Sequence, residues 1–215
     1  MNKTPENRRP IASRDTGWAK KTASILAKKN ISPNTISIFS ILFALVSLLA
    51  FYLDYKGMGC HLLFMLLAIV AIQGRLIMNL LDGMVAVEHD KKSAIGGLFN
   101  EVPDRISDTF TIFGVGLLAR GLPYGMDLAY LAIILSVTTA YIRTLGASLN
   151  CGHYFSGPMA KQHRMALICL GCVIAIWYKP VFYYLLIVMN LGLMITCYRR
   201  LSKIAACLRN NNKTH

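Results

Sequence analysis

Long runs of apolar residues without a charge recur along the whole sequence. Four of them are long: Thr35–Leu53, Gly57–Gly74, Leu128–Ile142 and Pro180–Tyr198. Two are shorter: Ile106–Ala119, which Asp108 interrupts, and Met165–Tyr178. A helix needs roughly 20 residues to cross a bilayer core, so the shorter runs must borrow residues from their polar flanks. The pattern predicts an all-α membrane protein with six transmembrane helices, and it argues against a signal peptide followed by a soluble domain.

A different pattern precedes the first run. Thr16–Lys29 follows Asp15, a suitable N-cap residue, and spaces apolar or neutral side chains along one helical face with lysines elsewhere. The residues of that face are Trp18, Thr22, Ile25 and Leu26. This spacing predicts an N-terminal amphipathic helix that lies on the membrane surface. Ser32-Pro33-Asn34 then ends this helix and starts the first span.

The domain organisation that we predict is simple, because the sequence contains no repeat, no low-complexity segment and no second domain. Residues 1–14 are predicted to be disordered. A single membrane domain is expected over residues 15–206, and residues 207–215 are expected to form a cytoplasmic tail.

Composition and charge sharpen this picture. Hydrophobic residues make up 55% of the chain and charged residues only 15%, against about 25% charged in soluble domains. Of the 23 Lys and Arg residues, eighteen lie in the N-terminal segment, in the second and fourth loops and in the tail, and three lie at Lys56, Arg120 and Lys179. This bias predicts a multi-pass protein of the inner membrane with both termini in the cytoplasm. Orientation and anionic lipid account for the net charge of +13, so no nucleic-acid partner is expected.

Acidic residues cluster in one part of the chain. Six of the ten lie between positions 82 and 108: Asp82, Glu88, Asp90, Glu101, Asp104 and Asp108. Carboxylates at membrane depth are costly and usually face a polar cavity, so they mark function. We interpret Glu88 and Asp90 as ordinary charges at the membrane interface.

The spacing of the remaining acids predicts a site. Asn79 and Asp82 share one helical face, and Asn100, Asp104 and Asp108 share a face of the next helix. The short loop between the two helices predicts that they pack antiparallel and bring these five side chains together. Carboxylate and amide oxygens are the ligands of hard cations such as Mg²⁺ or Mn²⁺. Glycines beside them, at Gly83, Gly96 and Gly97, let a ligand approach closely. We therefore predict a metal–diphosphate site, and we expect this site to be the active site and to face the cytoplasm.

These residues resemble a known motif. The chain has Asn79-Leu-Leu-Asp82-Gly83-Met-Val-Ala86-Val87, then eight residues, then Gly96-Gly-Leu-Phe-Asn100-Glu-Val-Pro-Asp104. This is similar to the signature of the CDP-alcohol phosphotransferase family, D-x-x-D-G-x-x-A-R, eight or nine residues, G-x-x-x-D-x-x-x-D. Ser32-Pro33-Asn34 and the run Gly157–Arg164 also resemble the family, so that the similarity covers most of residues 15–206.

The chain departs from the signature at three positions. Asn79 and Asn100 stand at the first and third aspartates, and Val87 stands at the arginine. Two negative charges are thereby missing from a site that holds two divalent ions in the family. Asp108 and Glu101 are candidates to restore charge, and a single metal ion is the alternative.

The resemblance implies that an acceptor hydroxyl attacks the β-phosphorus of a CDP-alcohol such as CDP-diacylglycerol, and that CMP leaves. It implies Mg²⁺ or Mn²⁺ as cofactor, a homodimer, and Asp104 as catalytic base. The implied metal ligands are Asp82, Asn79, Asn100 and Asp104. Asp108 lies one turn beyond the motif, and its spacing adds it as a further candidate ligand. The implied CDP-binding residues are Asn79, Asp82, Gly83, Ala86, Gly96 and Asn100. Arg143, Lys161 and Arg164 are expected to bind the acceptor, and would hold its phosphate if it carries one. The acceptor alcohol itself stays open: glycerol phosphate, inositol phosphate, serine and others are all compatible with the sequence.

Two alternatives stay open at this point. The first is a family member that binds CDP-lipid or metal without turnover, because two carboxylates and an arginine of the signature are missing. The second is a small cation transporter. It is disfavoured because the acids cluster near one membrane face and no broken helix crosses the midplane.

Overall fold

The computed structural model describes residues 12–89, 91 and 93–211, and all the regular secondary structure in these residues is helical. A 3₁₀ helix, Ala12–Asp15, precedes seven α-helices. The α-helices are α1 (Gly17–Lys28), α2 (Pro33–Tyr55), α3 (His61–Glu88), α4 (Gly96–Ala119), α5 (Gly125–Ser148), α6 (Lys161–Ala175) and α7 (Val181–Asn211). The predicted all-α class is confirmed. Asp90 and Lys92 lie outside the described residues, as does most of the segment predicted to be disordered.

Four helices are long and apolar enough to cross a membrane: α2, α3, α5 and α7. Their outer faces expose large apolar side chains, among them Leu49, Leu63, Ile134 and Val188. Exposed apolar surface of this extent is characteristic of a membrane-embedded protein. The chain is therefore a multi-pass membrane protein. The count of six spans stays a prediction, since α4 carries several charges and α6 has only 15 residues.

Contacts between the helices close a ring in the order α2, α3, α6, α7, α5, α4 and back to α2. The middle of this ring is filled by one apolar cluster, in which Phe51 of α2 meets Phe182 of α7 edge to face at 5.9 Å. Gly114 of α4 lies directly against Phe51. Small residues at such points let transmembrane helices approach closely, which is why one large ring fits in the centre of the bundle.

Helix α1 packs against α3 through alanines. Ala19, Ala23 and Ala27 recur every four residues and are buried in a cluster with residues of α2 and α3. Trp18 and Ile25, which the sequence analysis places on the apolar face, are 49% and 45% exposed. The helix thus has an alanine face toward α3 and a larger apolar face left open; its location on the membrane surface stays a prediction.

At the C-terminal end, α7 continues to Asn211, so the predicted tail begins inside this helix.

Helix α3 and helix α4 contact each other only sparsely, because α2 packs along both of them. The close antiparallel pair that the short loop predicts is therefore not found. The separation of α3 from α4 is what leaves room for a cavity.

Candidate active site

A cavity of about 940 Å³ opens between the C-terminal part of α3 and the N-terminal part of α4. Its lining includes all residues that the sequence analysis assigns to CDP binding: Asn79, Asp82, Gly83, Ala86, Gly96 and Asn100. Asp104 and the three predicted acceptor cations, Arg143, Lys161 and Arg164, line it as well. Sequence spacing thus leads to residues that meet in space. The exception is Asp108, which does not line the cavity.

Asp82 sits on the buried side of the cavity with 4% of its surface exposed. The Ser37 hydroxyl of α2 donates a hydrogen bond of 2.6 Å to Asp82 Oδ2. Ser37 lies one turn into α2, which starts at Pro33 and is capped by Ser32, whose Oγ accepts from the Thr35 amide at 3.1 Å. The helix start therefore positions a hydroxyl that orients the Asp82 carboxylate. Ser37 could not be singled out from the sequence, because nothing in the spacing of α2 distinguishes it from the other buried serines of this helix.

Asp104 joins three helices. Its Oδ1 accepts a hydrogen bond of 2.6 Å from Asn79 Nδ2 of α3 and one of 2.5 Å from Lys161 Nζ of α6. The neighbouring Arg105 lies 3.5 Å from Oδ2. Lys161, expected to hold an acceptor, is thus bonded to the predicted base.

The residues around Asp82 fit a divalent cation. Asn79 Oδ1 is buried and has no hydrogen-bond partner among the described residues, although a buried amide oxygen normally finds one. Asn79 and Asp82 are one turn apart on α3, and Asn100 lines the same cavity from α4. Within the described residues there is no group of three or more His, Cys, Asp and Glu side chains suited to a metal ion. A cation here would therefore rely on carboxylate and amide oxygens together, which hard cations accept.

Asp108 lies behind the cavity, at 1% exposure. Arg75 Nη2 of α3 donates to its Oδ1 and Arg164 Nη2 of α6 donates to its Oδ2, both at 2.5 Å. Its spacing suggested a metal ligand, but both oxygens serve these two guanidinium groups instead. The physical reason is depth: a buried carboxylate at membrane level needs partners, and the nearest ones are arginines.

Arg143 of α5 is also paired. Its Nη2 donates to both carboxylate oxygens of Glu101 on α4, at 2.5 Å for Oε2, and its guanidinium lies over the Phe155 ring at 5.3 Å. From the sequence, this charge had no obvious partner. The three predicted acceptor cations thus each carry an acidic partner from α4: Glu101, Asp104 and Asp108.

The segment before α6 places Lys161 and Arg164. The Met159 amide donates to Thr196 Oγ1 of α7 at 3.1 Å, and Arg164 Nη1 donates to the Met159 carbonyl at 2.9 Å. Gly157 has a φ of +134° and lies against Thr196, a backbone conformation that favours glycine. This loop therefore fixes the first turn of α6 at the cavity wall.

Arg200 of α7 also lines the cavity. From the sequence, Arg199 and Arg200 are both candidates to lie behind the three acceptor cations, but both fit better as positive flanks of the last span. Arg199 is exposed, but Arg200 is buried and donates to the carbonyls of Thr139 and Ser156. Nothing in the local sequence separates the two; only their position on the two sides of α7 does.

Comparison with known proteins identifies relatives. No protein-family model matches the chain. An uncharacterized protein of Aquifex aeolicus is 29% identical over 179 residues, 82% of this chain and 84% of that protein. The inner membrane protein YnbA of Escherichia coli is 28% identical over 153 residues, 71% and 72% of the two chains. The archaetidylinositol phosphate synthase of Pyrococcus horikoshii is 27% identical over 148 residues, 68% and 71% of the two chains.

Solved structures share the fold. The phosphatidylinositol phosphate synthase PgsA1 of Mycobacterium tuberculosis with CDP-DAG bound has a TM-score of 0.71 at 18% identity, covering 88% of this chain and 94% of that one. The same protein in complex with manganese and citrate has a TM-score of 0.69 at 18% identity, covering 86% and 88%. The homologues of the chain thus include an archaetidylinositol phosphate synthase and a phosphatidylinositol phosphate synthase, which are CDP-alcohol phosphotransferases.

Inside its cavity, the chain differs from the signature of the CDP-alcohol phosphotransferases. Asn79, Val87 and Asn100, which replace two aspartates and the arginine, all line it. The replacements therefore change the charge of the cavity wall itself. The amide of Asn79 has also become a hydrogen-bond donor to Asp104, which an aspartate at this position cannot be when ionised.

Proposed function

We propose that the protein transfers a phosphoryl-alcohol group from a CDP-alcohol, with CDP-diacylglycerol as the leading candidate, to an acceptor alcohol and releases CMP. The observation that carries this proposal is the meeting of Asp82, Asp104, Asn79 and Asn100 in one cavity at one end of the helical bundle. The archaetidylinositol phosphate synthase relative and the CDP-DAG complex of a protein with the same fold support the same chemistry.

The charge of the cavity favours anionic substrates. Seven of its lining residues are basic and only three are acidic. The basic ones are Arg14, Lys91, Arg105, Arg143, Lys161, Arg164 and Arg200. A diphosphate and an acceptor phosphate would both find cationic partners in such a wall, and a cleft of one sign concentrates ligands of the opposite sign. This excess of positive charge supports a phosphorylated acceptor over a neutral one such as glycerol.

Asp82, Asn79 and Asn100 are the residues that would hold Mg²⁺ or Mn²⁺. Such a cation would neutralise the diphosphate and stabilise the leaving phosphate. Ser37 holds the Asp82 carboxylate in orientation, and the lack of a side chain at Gly97 leaves open space beside α4. Gly83 and Ala86, small residues in the wall of α3, give the cytidine diphosphate room.

Asp104 is the proposed base. The acceptor oxygen forms the new bond to the β-phosphorus while the bond from that phosphorus to the CMP oxygen breaks. The hydroxyl proton goes to Asp104, and CMP leaves as an anion. The two donors on Oδ1, from Asn79 and Lys161, hold the carboxylate so that Oδ2 can take this proton.

The proposed function also requires a particular placement of the helices in the membrane. We infer that α4 and α6 cross the bilayer together with α2, α3, α5 and α7, and that the cavity opens to the cytoplasm. The supporting observation is the separation of basic residues along the bundle, with Lys56, Arg120 and Lys179 outside the four basic segments. A cytoplasmic mouth would give the cavity access to water-soluble acceptors.

A second candidate is a protein that binds CDP-lipid without turnover. The observation in its favour is that Asp104 Oδ1 already accepts two hydrogen bonds, from Asn79 and Lys161. Membranes from cells with and without the gene separate the two candidates when they are supplied with CDP-diacylglycerol and single acceptors. A transferase adds a new phospholipid, visible by mass spectrometry, with one acceptor only. Retention of CDP-diacylglycerol without a product supports the binding protein.

A further inference from the structure

The contacts of Lys161 distinguish it from the other basic residues of the cavity. Its ammonium lies 2.5 Å from Asp104 Oδ1, and only 15% of the side chain is exposed. Lys161 is the first residue of α6, whose first turn contains no acidic residue. A cation at a helix N-terminus is disfavoured by the helix dipole. The position is therefore maintained by the contact with Asp104, across α4 and α6.

Asp104 Oδ1 has no capacity left for a further ligand. A carboxylate oxygen offers two lone pairs, and here Asn79 Nδ2 and Lys161 Nζ take both, at 2.6 and 2.5 Å. Oδ2 faces Arg105 at 3.5 Å. Two protein cations, Lys161 and Arg105, therefore lie beside this carboxylate, and its Oδ1 has no lone pair left for a metal ion.

The nitrogen and the oxygen of the Asn79 amide lie in different environments. Its nitrogen donates to Asp104, while its oxygen is buried and unpartnered among the described residues. That oxygen lies on the helical face of Asp82, one turn away. An orphaned buried oxygen beside a buried carboxylate marks one cation position, and the amide nitrogen turned toward Asp104 excludes a cation on the other side.

We propose that this site holds a single divalent cation, at Asp82 and the Asn79 oxygen, and that the Lys161 ammonium supplies the second positive charge, at Asp104. The inference rests on the proposed function, since both charges would face the diphosphate of the CDP-alcohol. Charge balance agrees with it. With asparagine at 79 and 100, two carboxylates remain at the four positions of the signature, Asp82 and Asp104. Two divalent ions would exceed the charge of these two carboxylates, in a wall that is already basic.

Asn79 and Lys161 are thereby coupled. An aspartate at position 79 would place a second carboxylate beside Asp104, and that pair would attract another divalent ion. The neutral amide instead donates a hydrogen bond, and the lysine compensates the remaining charge. We therefore treat the asparagine and the lysine as one exchange, in which a covalently attached ammonium replaces a bound ion.

Counting bound Mn²⁺ tests this inference directly. The purified full-length protein in detergent is titrated with Mn²⁺, and the free ion is followed by its electron paramagnetic resonance signal, with and without CDP-diacylglycerol. The wild type should bind one Mn²⁺ per chain, and Asp82→Asn should abolish this binding. The double variant Asn79→Asp, Lys161→Met should bind two, and the two ions should show magnetic coupling. Methionine keeps the unbranched stem of lysine, so packing is little changed.

A matched control uses another lysine of the same cavity. Lys91 donates to the Ala27 carbonyl and to Asn30 Oδ1 and touches no carboxylate in these hydrogen bonds; Lys91→Met should leave the count at one. Two Mn²⁺ ions bound to the wild type, or no Mn²⁺ at all, would overturn the inference without any variant having to fold. A folded double variant that still binds one ion would do the same. CMP release from the same samples separates the single-cation inference from the proposed function. CMP release by a wild type that binds two ions would contradict only the single-cation inference. One bound ion without CMP release would contradict the proposed function.

Discussion

Three ion pairs cross the polar end of the bundle, each from an acid of α4 to a base of a later helix. They are Glu101–Arg143, Asp104–Lys161 and Asp108–Arg164. The acids follow one another at nearly one helical turn, so the pairs run from the cavity rim to the protein interior. The pairs differ in environment: Glu101 is partly exposed, while Asp108 is fully enclosed. We therefore expect that replacing Glu101 or Arg143 changes mainly the activity, and that replacing Asp108 changes mainly the stability of the fold.

Asp108→Asn should act mainly on the stability of the fold. It removes the charge that neutralises Arg75 and Arg164, both of which are buried. Breaking a buried ion pair by removing one partner typically costs about 3–5 kcal/mol, so we expect a clear loss of thermal stability in detergent. Mn²⁺ affinity of the protein that remains folded should equal that of the wild type. A normal melting temperature combined with a weakened Mn²⁺ affinity would instead return Asp108 to the metal site.

Arg143 and Glu101 both line the cavity, so we expect their replacement to change mainly the activity. Replacing each of them by glutamine tests the two residues as a pair. If Arg143 holds an anionic acceptor, Arg143→Gln should raise the acceptor KM by about tenfold or more, the value of one charged hydrogen bond, and change the donor KM less. Glu101→Gln, the matched control, removes a competitor for the arginine and should leave the acceptor KM unchanged or lower. Steady-state kinetics with both substrates varied measures this. Equal effects of the two variants on both substrates would indicate a purely structural pair.

Among the helices, sequence spacing predicted well what lies on one helix. Asn79 and Asp82 share a face because they are one turn apart, and both line the cavity as expected. Sequence spacing predicted poorly which residues of different helices contact each other. Asp108 is four residues beyond Asp104, about 6 Å further along α4, and that step takes it past the floor of the cavity. The partners of Arg143 and Lys161 depend on the order of helices around the ring, which no local pattern specifies.

The loop before α6 is the element on which the position of Lys161 depends most. Gly157→Ala would place a side chain at a φ of +134° and against Thr196. Alanine at a positive φ destabilises by about 1 kcal/mol or more, so we expect a lower melting temperature and reduced transfer activity, because Lys161 and Arg164 shift. Gly121→Ala is the control, since a side chain there meets open space. Equal stability of the two variants would show that the loop conformation is not strained by a side chain.

At the scale of the whole molecule, a ring of six helices carries the cavity with its acids and bases at one end and presents apolar side chains outward. The all-helical class followed from the recurring apolar runs alone. The number of spans did not follow as firmly, because α6 is short and α4 carries the acids of the site. A helix that supplies charges to a cavity at one end cannot also be uniformly apolar. Hydropathy therefore identifies a membrane span least well in a helix such as α4, which carries residues of the candidate site.

Topology can be measured independently of activity. Eighteen of the 23 basic residues lie in segments that six spans place on one side, and three lie on the other. Reporter domains fused after His215 and inserted near Gly121 should therefore give opposite signals, cytoplasmic for the first and external for the second. The same signal from both positions would contradict the six-span arrangement with cytoplasmic termini.

The most direct test of the central claim is the release of CMP from CDP-diacylglycerol by the purified protein with Mg²⁺ or Mn²⁺ and each phosphorylated acceptor in turn. We expect CMP and the new phospholipid in equal amounts with one acceptor. Asp82→Asn, which keeps the shape of the side chain, should lower the rate at least about 10²-fold, the typical cost of losing such a group, while the protein still folds. Tight binding of CDP-diacylglycerol with no CMP from any acceptor would contradict the account, most clearly if Asp restored at positions 79 and 100 gave activity that the natural chain lacks.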